Sequence, residues 1–84
     1  MELVFKDQAW KDYSYWLKTD KAMLKKLNIL IKEIKRTPYT GTGKPEKLRL
    51  NLSGWWSRRI SHEHRIVYKI KGNQLLIAQC RKHY

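Results

Sequence analysis

The sequence predicts an α+β fold: an N-terminal strand, then a two-helix hairpin packed on one face of an antiparallel sheet of four to five strands. Three observations carry this expectation. Residues 8–36 hold two amphipathic helical patterns broken only at Thr19-Asp20, residues 47–80 alternate apolar with polar side chains at a period of two, and Gly, Asn and Ser punctuate the alternating stretches. Helices that precede the main strands in this way collect on one face of the sheet and leave the other open. At 84 residues the chain is near the lower size for a self-sufficient core, but four Trp, five Tyr and one Phe supply area to bury, so a single domain over residues 1–84 is expected.

Glu2 to Lys6 reads as the first strand, with Leu3 and Phe5 on one side, and Asp7 offers a helix cap. From Gln8 to about Thr19, the residues Trp10, Tyr13, Trp16 and Leu17 recur at spacings of three and four and define a helix face. Asp20 supplies a second cap. A helix starting at Lys21 then buries Met23, Leu27, Leu30, Ile31 and Ile34, with Lys21, Lys25, Asn28, Lys32 and Lys35 facing water. Pro38 stops it by excluding Thr37 from the helical region. Pro38 to Pro45 holds both prolines, Gly41 and Gly43, and reads as an exposed functional loop. Its Thr40-Gly41-Thr42-Gly43-Lys44 run is not a phosphate-binding loop, because the full pattern, the preceding strand and the following helix are absent. Lys47 to Leu50 forms a short strand with Leu48 inward.

The central stretch, Asn51 to Tyr68, reads as a turn followed by a hairpin. Trp56, Arg58 and Ile60 share one face of its first strand, while Trp55, Ser57 and Arg59 share the other. The alternation separates Trp55 from Trp56 without deciding which one meets the helices. In the second strand Ile66, Tyr68 and Ile70 are the apolar face, and Arg65, Val67 and Lys69 the polar one. A three-residue link, His62-Glu63-His64, pairs Ser61 with Arg65, Ile60 with Ile66 and Arg59 with Val67. A two-residue link would set Arg65 against Ile60 and bury a guanidinium. The odd link leaves Arg59 and Arg65 together on the open face with no acidic neighbour, which makes either an anion site or two solvated arginines.

Lys71-Gly72-Asn73 turns the chain into a last strand, Gln74 to Cys80. A three-residue turn puts His83 on the Arg59/Arg65 face; a two-residue Gly72-Asn73 turn puts it on the helix side unless a bulge intervenes.

Nineteen Lys/Arg against seven Asp/Glu give a net charge of +12, and a polyanion is the natural partner. Residues 44–84 carry ten of those cations with two acids, so the nucleic-acid face is expected there. Cys80 stands alone, which excludes an internal disulfide, fits a reducing compartment and marks a small core residue. No apolar run approaches the roughly 20 residues that span a bilayer, and no secretion signal opens the chain, so a cytoplasmic protein without a membrane partner is expected. His62 and His64 read as solvated turn residues, without the partners of a metal site, and no metal or other cofactor is expected. Ser53, Ser57 and Ser61 lack the strained elbow of a nucleophile. What remains is acid–base chemistry. Glu46, set among Lys44 and Lys47, is a charge-balancing surface residue or a general base, and His83 is a frayed tail residue or an acid.

Lys44-Pro45-Glu46, Asn51-Leu52-Ser53-Gly54-Trp55-Trp56-Ser57-Arg58-Arg59-Ile60, Glu63-His64-Arg65-Ile66-Val67-Tyr68 and Cys80-Arg81-Lys82-His83-Tyr84, with Trp16 and Arg36-Thr37-Pro38, resemble the YoeB toxins, the Txe/YoeB family of the RelE/ParE superfamily. The resemblance covers essentially the whole chain. It implies a RelE-like microbial ribonuclease fold and a bacterial toxin of a type II toxin–antitoxin pair. Such a toxin enters the A site of the 70S ribosome, cuts mRNA without a metal, forms a homodimer and is silenced by an acidic YefM/Phd-type antitoxin. By position, the resemblance makes Glu46 the general base, His83 the general acid and Arg65 the transition-state cation. Arg59 would join Arg65 at the phosphate, Tyr84 would orient substrate or stack on a base, and Lys44 and Arg49 would hold flanking phosphates. The competing readings are a ParE-like toxin that does not cleave RNA and a plain basic nucleic-acid-binding module, neither of which needs the Glu46/Arg65/His83 set.

Overall fold

In the computed structural model, which describes Met1–Tyr84, the chain runs β1 (Glu2–Phe5), α1 (Asp7–Thr19), α2 (Lys21–Arg36), β2 (Glu46–Lys47), one 3-10 turn (Leu50–Leu52), β3 (Trp56–Arg59), β4 (Arg65–Lys71) and β5 (Gln74–Gln79). One sheet in the order β1-β5-β4-β3-β2 carries both helices on one face. Strands β2 to β5 are antiparallel neighbours as expected. The sheet is nonetheless mixed, because β1 pairs in parallel with β5, setting Leu3 beside Leu75 and Phe5 beside Ile77. No helix is long and apolar enough to cross a membrane.

Asp20 separates the helices as its side chain predicts: its Oδ1 accepts the Met23 N–H at 3.0 Å, and α2 begins at Lys21. Leu27, Leu30, Ile31 and Ile34 of α2 are buried. In α1 the buried face is rotated from the expected one. Ala9, Asp12 and Trp16 face inward, whereas Trp10 and Leu17 remain 54% and 49% exposed. The reason is polar: Asp12 Oδ2 accepts the Cys80 N–H at 3.0 Å, and Trp16 Nε1 donates to the Cys80 carbonyl at 2.9 Å, so α1 turns toward the last strand. Asp7 is the first residue of the helix, and Lys6 occupies the cap position without a side-chain bond.

The hairpin register differs from the expected one by two residues. Arg59 pairs with Arg65, Arg58 with Ile66, Ser57 with Val67 and Trp56 with Tyr68, leaving residues 60–64 as the link. A shift of two preserves every side-chain direction, so the expected faces hold. Trp56 is the tryptophan that packs on the core, its ring 4.8 Å from that of Tyr39; Trp55 lies between the Lys6 and Lys69 ammonium groups, 5.4 and 5.2 Å away. The expected strand from Lys47 to Leu50 ends at Lys47. Leu48 does point inward, but Leu50 adopts φ +57° and stands 91% exposed.

Alternation puts Arg58 on the covered face, and there it is fully buried. All five of its N–H groups find acceptors. Nε donates to Tyr68 Oη at 3.1 Å; Nη1 donates to Glu33 Oε1 at 2.7 Å and to the Thr42 carbonyl at 3.4 Å; Nη2 donates to the carbonyls of Thr37 and Thr40. Tyr68 Oη in turn donates to the Pro38 carbonyl at 2.6 Å, and the Glu33 carboxylate takes the N–H and hydroxyl of Thr42. Two glycines make room for this knot. A Cβ on Gly41 would lie 2.1 Å from Glu33 Oε1, and one on Gly43 would lie 2.8 Å from the Arg59 carbonyl; both residues also hold positive φ.

The Thr42 N–H and hydroxyl, followed by Arg58, hold the Glu33 carboxyl below its ordinary value of 4.5. A depressed carboxyl stabilises the fold above its unfolded pKa and ceases to do so as pH falls through the folded one. Unfolding free energy of the native sequence is therefore expected to decline more steeply than that of Glu33→Gln below about pH 4.5. Arg58→Met, which orphans Glu33 and the loop carbonyls, is expected to cost about 3 to 5 kcal/mol in urea unfolding at neutral pH. Burial, then the Asp12 charge, pushes the Cys80 thiol up to about 12. Alkylation by iodoacetamide is accordingly expected to follow the rate of unfolding, and rapid labelling of the native protein would contradict this packing.

Candidate active site

The open face of the sheet carries a cleft of about 260 Å³ lined by Lys44, Glu46, Ser57, Arg59, Arg65, His83 and Tyr84. Its floor follows from strand register. Glu46 of β2 lies opposite Ser57 of β3, and Arg59 lies opposite Arg65 of β4 one step along the same face. The loop that Arg58 holds delivers the rim: Gly43 accepts the Arg59 N–H at 2.7 Å, Lys44 follows with φ +53°, and Glu46 enters the sheet.

Arg65 is fixed by its own link. Its Nη1 donates to the carbonyls of Ser61, His62 and His64 at 3.1 to 3.4 Å, which leaves Nε and Nη2 free of protein acceptors. Arg59 is exposed. The one side-chain ion pair of the chain is Arg58–Glu33, so neither Arg59 nor Arg65 is neutralised by a carboxylate. Two guanidiniums on directly opposed residues repel unless an anion lies between them.

The C-terminus closes the cleft from the far side. Gly72-Asn73 is a two-residue turn joining Lys71 to Gln74, which by parity alone would send His83 to the helix side. A bulge between Val67 and Tyr68 resets the count: Tyr68 pairs with Ile77, yet Val67 pairs with Gln79. Cys80 is then buried under α1, and Lys82, at φ +63°, reverses the chain so that His83 and Tyr84 reach the cleft. Tyr84 Oη lies 3.4 Å from Ser57 Oγ.

Six of the seven residues singled out in the sequence therefore line one cleft. Arg49 does not; it is exposed and precedes the 3-10 turn. Ser57 lacks the setting of a nucleophile and is a polar contact for Tyr84; its place beside Arg59 in the alternation is the sequence signal for it. His64 is not a free turn residue, since its ring meets Trp16 edge to face at 4.8 Å and its Nδ1 accepts the Lys82 N–H at 2.7 Å.

A two-helix hairpin on one face of a five-stranded mixed sheet is the fold of the RelE-like class. The fold is shared at low sequence identity with YafQ from Escherichia coli, 19% identical, at a TM-score of 0.81 over 98% of this chain and 92% of that one. A family model described as the YoeB-like toxin of bacterial type II toxin–antitoxin systems matches residues 5–84. The chain belongs to that family. It is 56% identical to toxin YoeB of Escherichia coli K12 over the full length of both. It superposes at a TM-score of 0.97 on a YoeB/ParE toxin from Agrobacterium tumefaciens, 49% identical, with both chains fully covered. Two Staphylococcus aureus structures match over 100% of this chain and 98% of theirs, both at 49% identity: YoeB in a heterotetrameric complex with YefM, at a TM-score of 0.92, and a YoeB dimer, at 0.93.

If the opposed arginines await an anion, inorganic phosphate is expected to raise the melting temperature at low ionic strength, beyond chloride at equal ionic strength. Arg65→Ala should remove most of that gain. Equal effects of phosphate and chloride on the native protein would contradict the site.

Proposed function

We propose that this toxin is a ribosome-dependent endoribonuclease that cleaves mRNA in the ribosomal A site without a metal and so arrests translation. What most supports the reading is the convergence in one cleft of a carboxylate, two unpaired guanidiniums, a lysine, an imidazole and a phenol from four separate segments of the chain. In this reaction Glu46 takes the proton from a ribose 2′-hydroxyl, whose oxygen attacks the adjacent phosphorus. The P–O5′ bond breaks as the 2′,3′-cyclic phosphate forms, and His83 gives its proton to the departing 5′-oxygen. Arg65 balances the charge that accumulates on the phosphoryl oxygens, assisted by Arg59. Lys44 holds a neighbouring phosphate and Tyr84 orients or stacks on a base. Arg49, outside the cleft, meets the strand further along. Proton transfer contributes about 10² to 10⁴ on each side, and positioning with charge stabilisation supplies the remainder.

An acidic YefM/Phd-type antitoxin as partner is supported by the +12 charge and by the YoeB–YefM complex from Staphylococcus aureus; a homodimer is supported by the YoeB dimer from the same species. A cytoplasmic site of action fits the ribosomal target and the lone, buried cysteine.

The test is a cell-free translation reaction with the purified chain, mapping RNA ends and their phosphate chemistry. New ends within A-site codons bearing cyclic phosphate are expected. His83→Gln and Glu46→Ala should each lower turnover by about 10² to 10⁴ while ribosome association persists. An mRNA with 2′-deoxyribose at the cut site should survive. Arrested translation with intact mRNA would overturn the reading in favour of a non-cleaving toxin.

A further inference from the structure

The last two residues have few bonds of their own. His83 offers its carbonyl to Gln79 Nε2 at 3.4 Å, and Tyr84 Oη faces Ser57 Oγ at 3.4 Å, both long for hydrogen bonds. What directs them is the residue before. Lys82 sits in the left-handed region at φ +63°, a conformation that a side-chain-bearing residue keeps only where its surroundings impose it. Both of its peptide groups are gripped by consecutive residues where the link enters β4: its N–H by His64 Nδ1 at 2.7 Å, its carbonyl by the Arg65 N–H at 3.1 Å. The His64 bond is the shorter of the two.

His64 is itself held from two sides. Its ring lies edge to face on Trp16 at 4.8 Å and 80°, and the carbonyl of His64 accepts N–H groups from Ile60 and Ser61 at 2.9 and 3.3 Å. Trp16 also bonds the Cys80 carbonyl at 2.9 Å, so the same indole supports the clamp and the strand that leads into it. A backbone N–H can only donate; Nδ1 of His64 must therefore be the bare nitrogen, with the ring proton on Nε2.

We infer that His64 is a positioning residue: its Nδ1 clamps the Lys82 N–H and thereby aims His83 and Tyr84 into the cleft. The catalytic consequence rests on the reading of the cleft as a nuclease site. The clamp also links the two ends of the reaction, because the link that holds Lys82 is the one whose carbonyls hold the Arg65 guanidinium. The cation and the acid are set by one short segment.

Two side chains separate the acceptor from the ring. Asn presents its amide oxygen near the position of Nδ1, whereas Gln reaches toward the position of Nε2 and offers nothing at Nδ1. In NMR spectra of the full chain, the His64 imidazole nitrogens are expected to show the Nε2–H tautomer, and the His83 and Tyr84 amides to be as ordered as β5. His64→Asn should keep that order, while His64→Gln and His64→Ala should give mobile tails with melting temperatures still well above assay temperature. In the translation reaction the Gln and Ala variants should lose about 10²-fold in turnover at unchanged ribosome affinity, with Asn largely restored. An ordered tail in His64→Ala, a protonated Nδ1, or Asn behaving like Ala would overturn the clamp. No cleavage by the native chain, with the NMR result intact, would overturn the nuclease reading and leave the clamp standing.

Discussion

A buried arginine is the constraint on which this molecule depends. Arg58 carries a permanent charge in a domain with little interior to spare, and desolvating a guanidinium costs several kcal/mol unless each donor is met. Here every donor is met, but only one acceptor is a carboxylate; the others are Tyr68 Oη and loop carbonyls from Thr37, Thr40 and Thr42. The loop cannot drift without orphaning the arginine, and the arginine cannot leave without orphaning the loop. A segment rich in glycine and proline thus acquires a fixed path without secondary structure of its own. That path ends at Lys44 and Glu46.

The opposite wall of the cleft is built by different means. The C-terminal segment is drawn under α1 by Asp12 and Trp16 at Cys80, then reversed at Lys82 by His64 and the Arg65 backbone. Residues near positions 44 and 84 consequently meet over strands β3 and β4, although they are 40 positions apart in the sequence. From the cleft residues Arg59 and Arg65 the walls take only backbone N–H groups, which bond the Gly43 and Lys82 carbonyls. The side chains that do the holding, Arg58, Glu33, Tyr68, Asp12, Trp16 and His64, lie outside the cleft lining, which leaves Arg59, His83 and Glu46 free for a ligand.

This division explains how so cationic a chain tolerates its charge. The one ion pair sits on the covered side and organises structure, while the open face keeps its arginines unneutralised. Self-repulsion there is a stability cost of the site, relieved when a polyanion binds. It also gives physical content to an acidic partner: a protein that supplies carboxylates to this face would relieve that repulsion.

Much of this was legible in the sequence because periodicity is local. The break at Asp20, the stop at Pro38, the α2 stripe and the placement of Arg59 and Arg65 on one face follow from caps, ring sterics and two-residue alternation, which need no knowledge of distant residues. The parity argument survived a register shift of two because only odd shifts exchange faces. The tertiary structure decided what depends on partners remote in the chain: that Arg58, on the apolar face by alternation, could remain there because Glu33 and three loop carbonyls converge on it; that α1 rotates toward Asp12; that a bulge in β5 between Ile77 and Gln79 returns the tail to the open face; and that His64 is a clamp. A side chain's direction is set by its neighbours in sequence, but its cost of burial is set by what the fold brings to meet it.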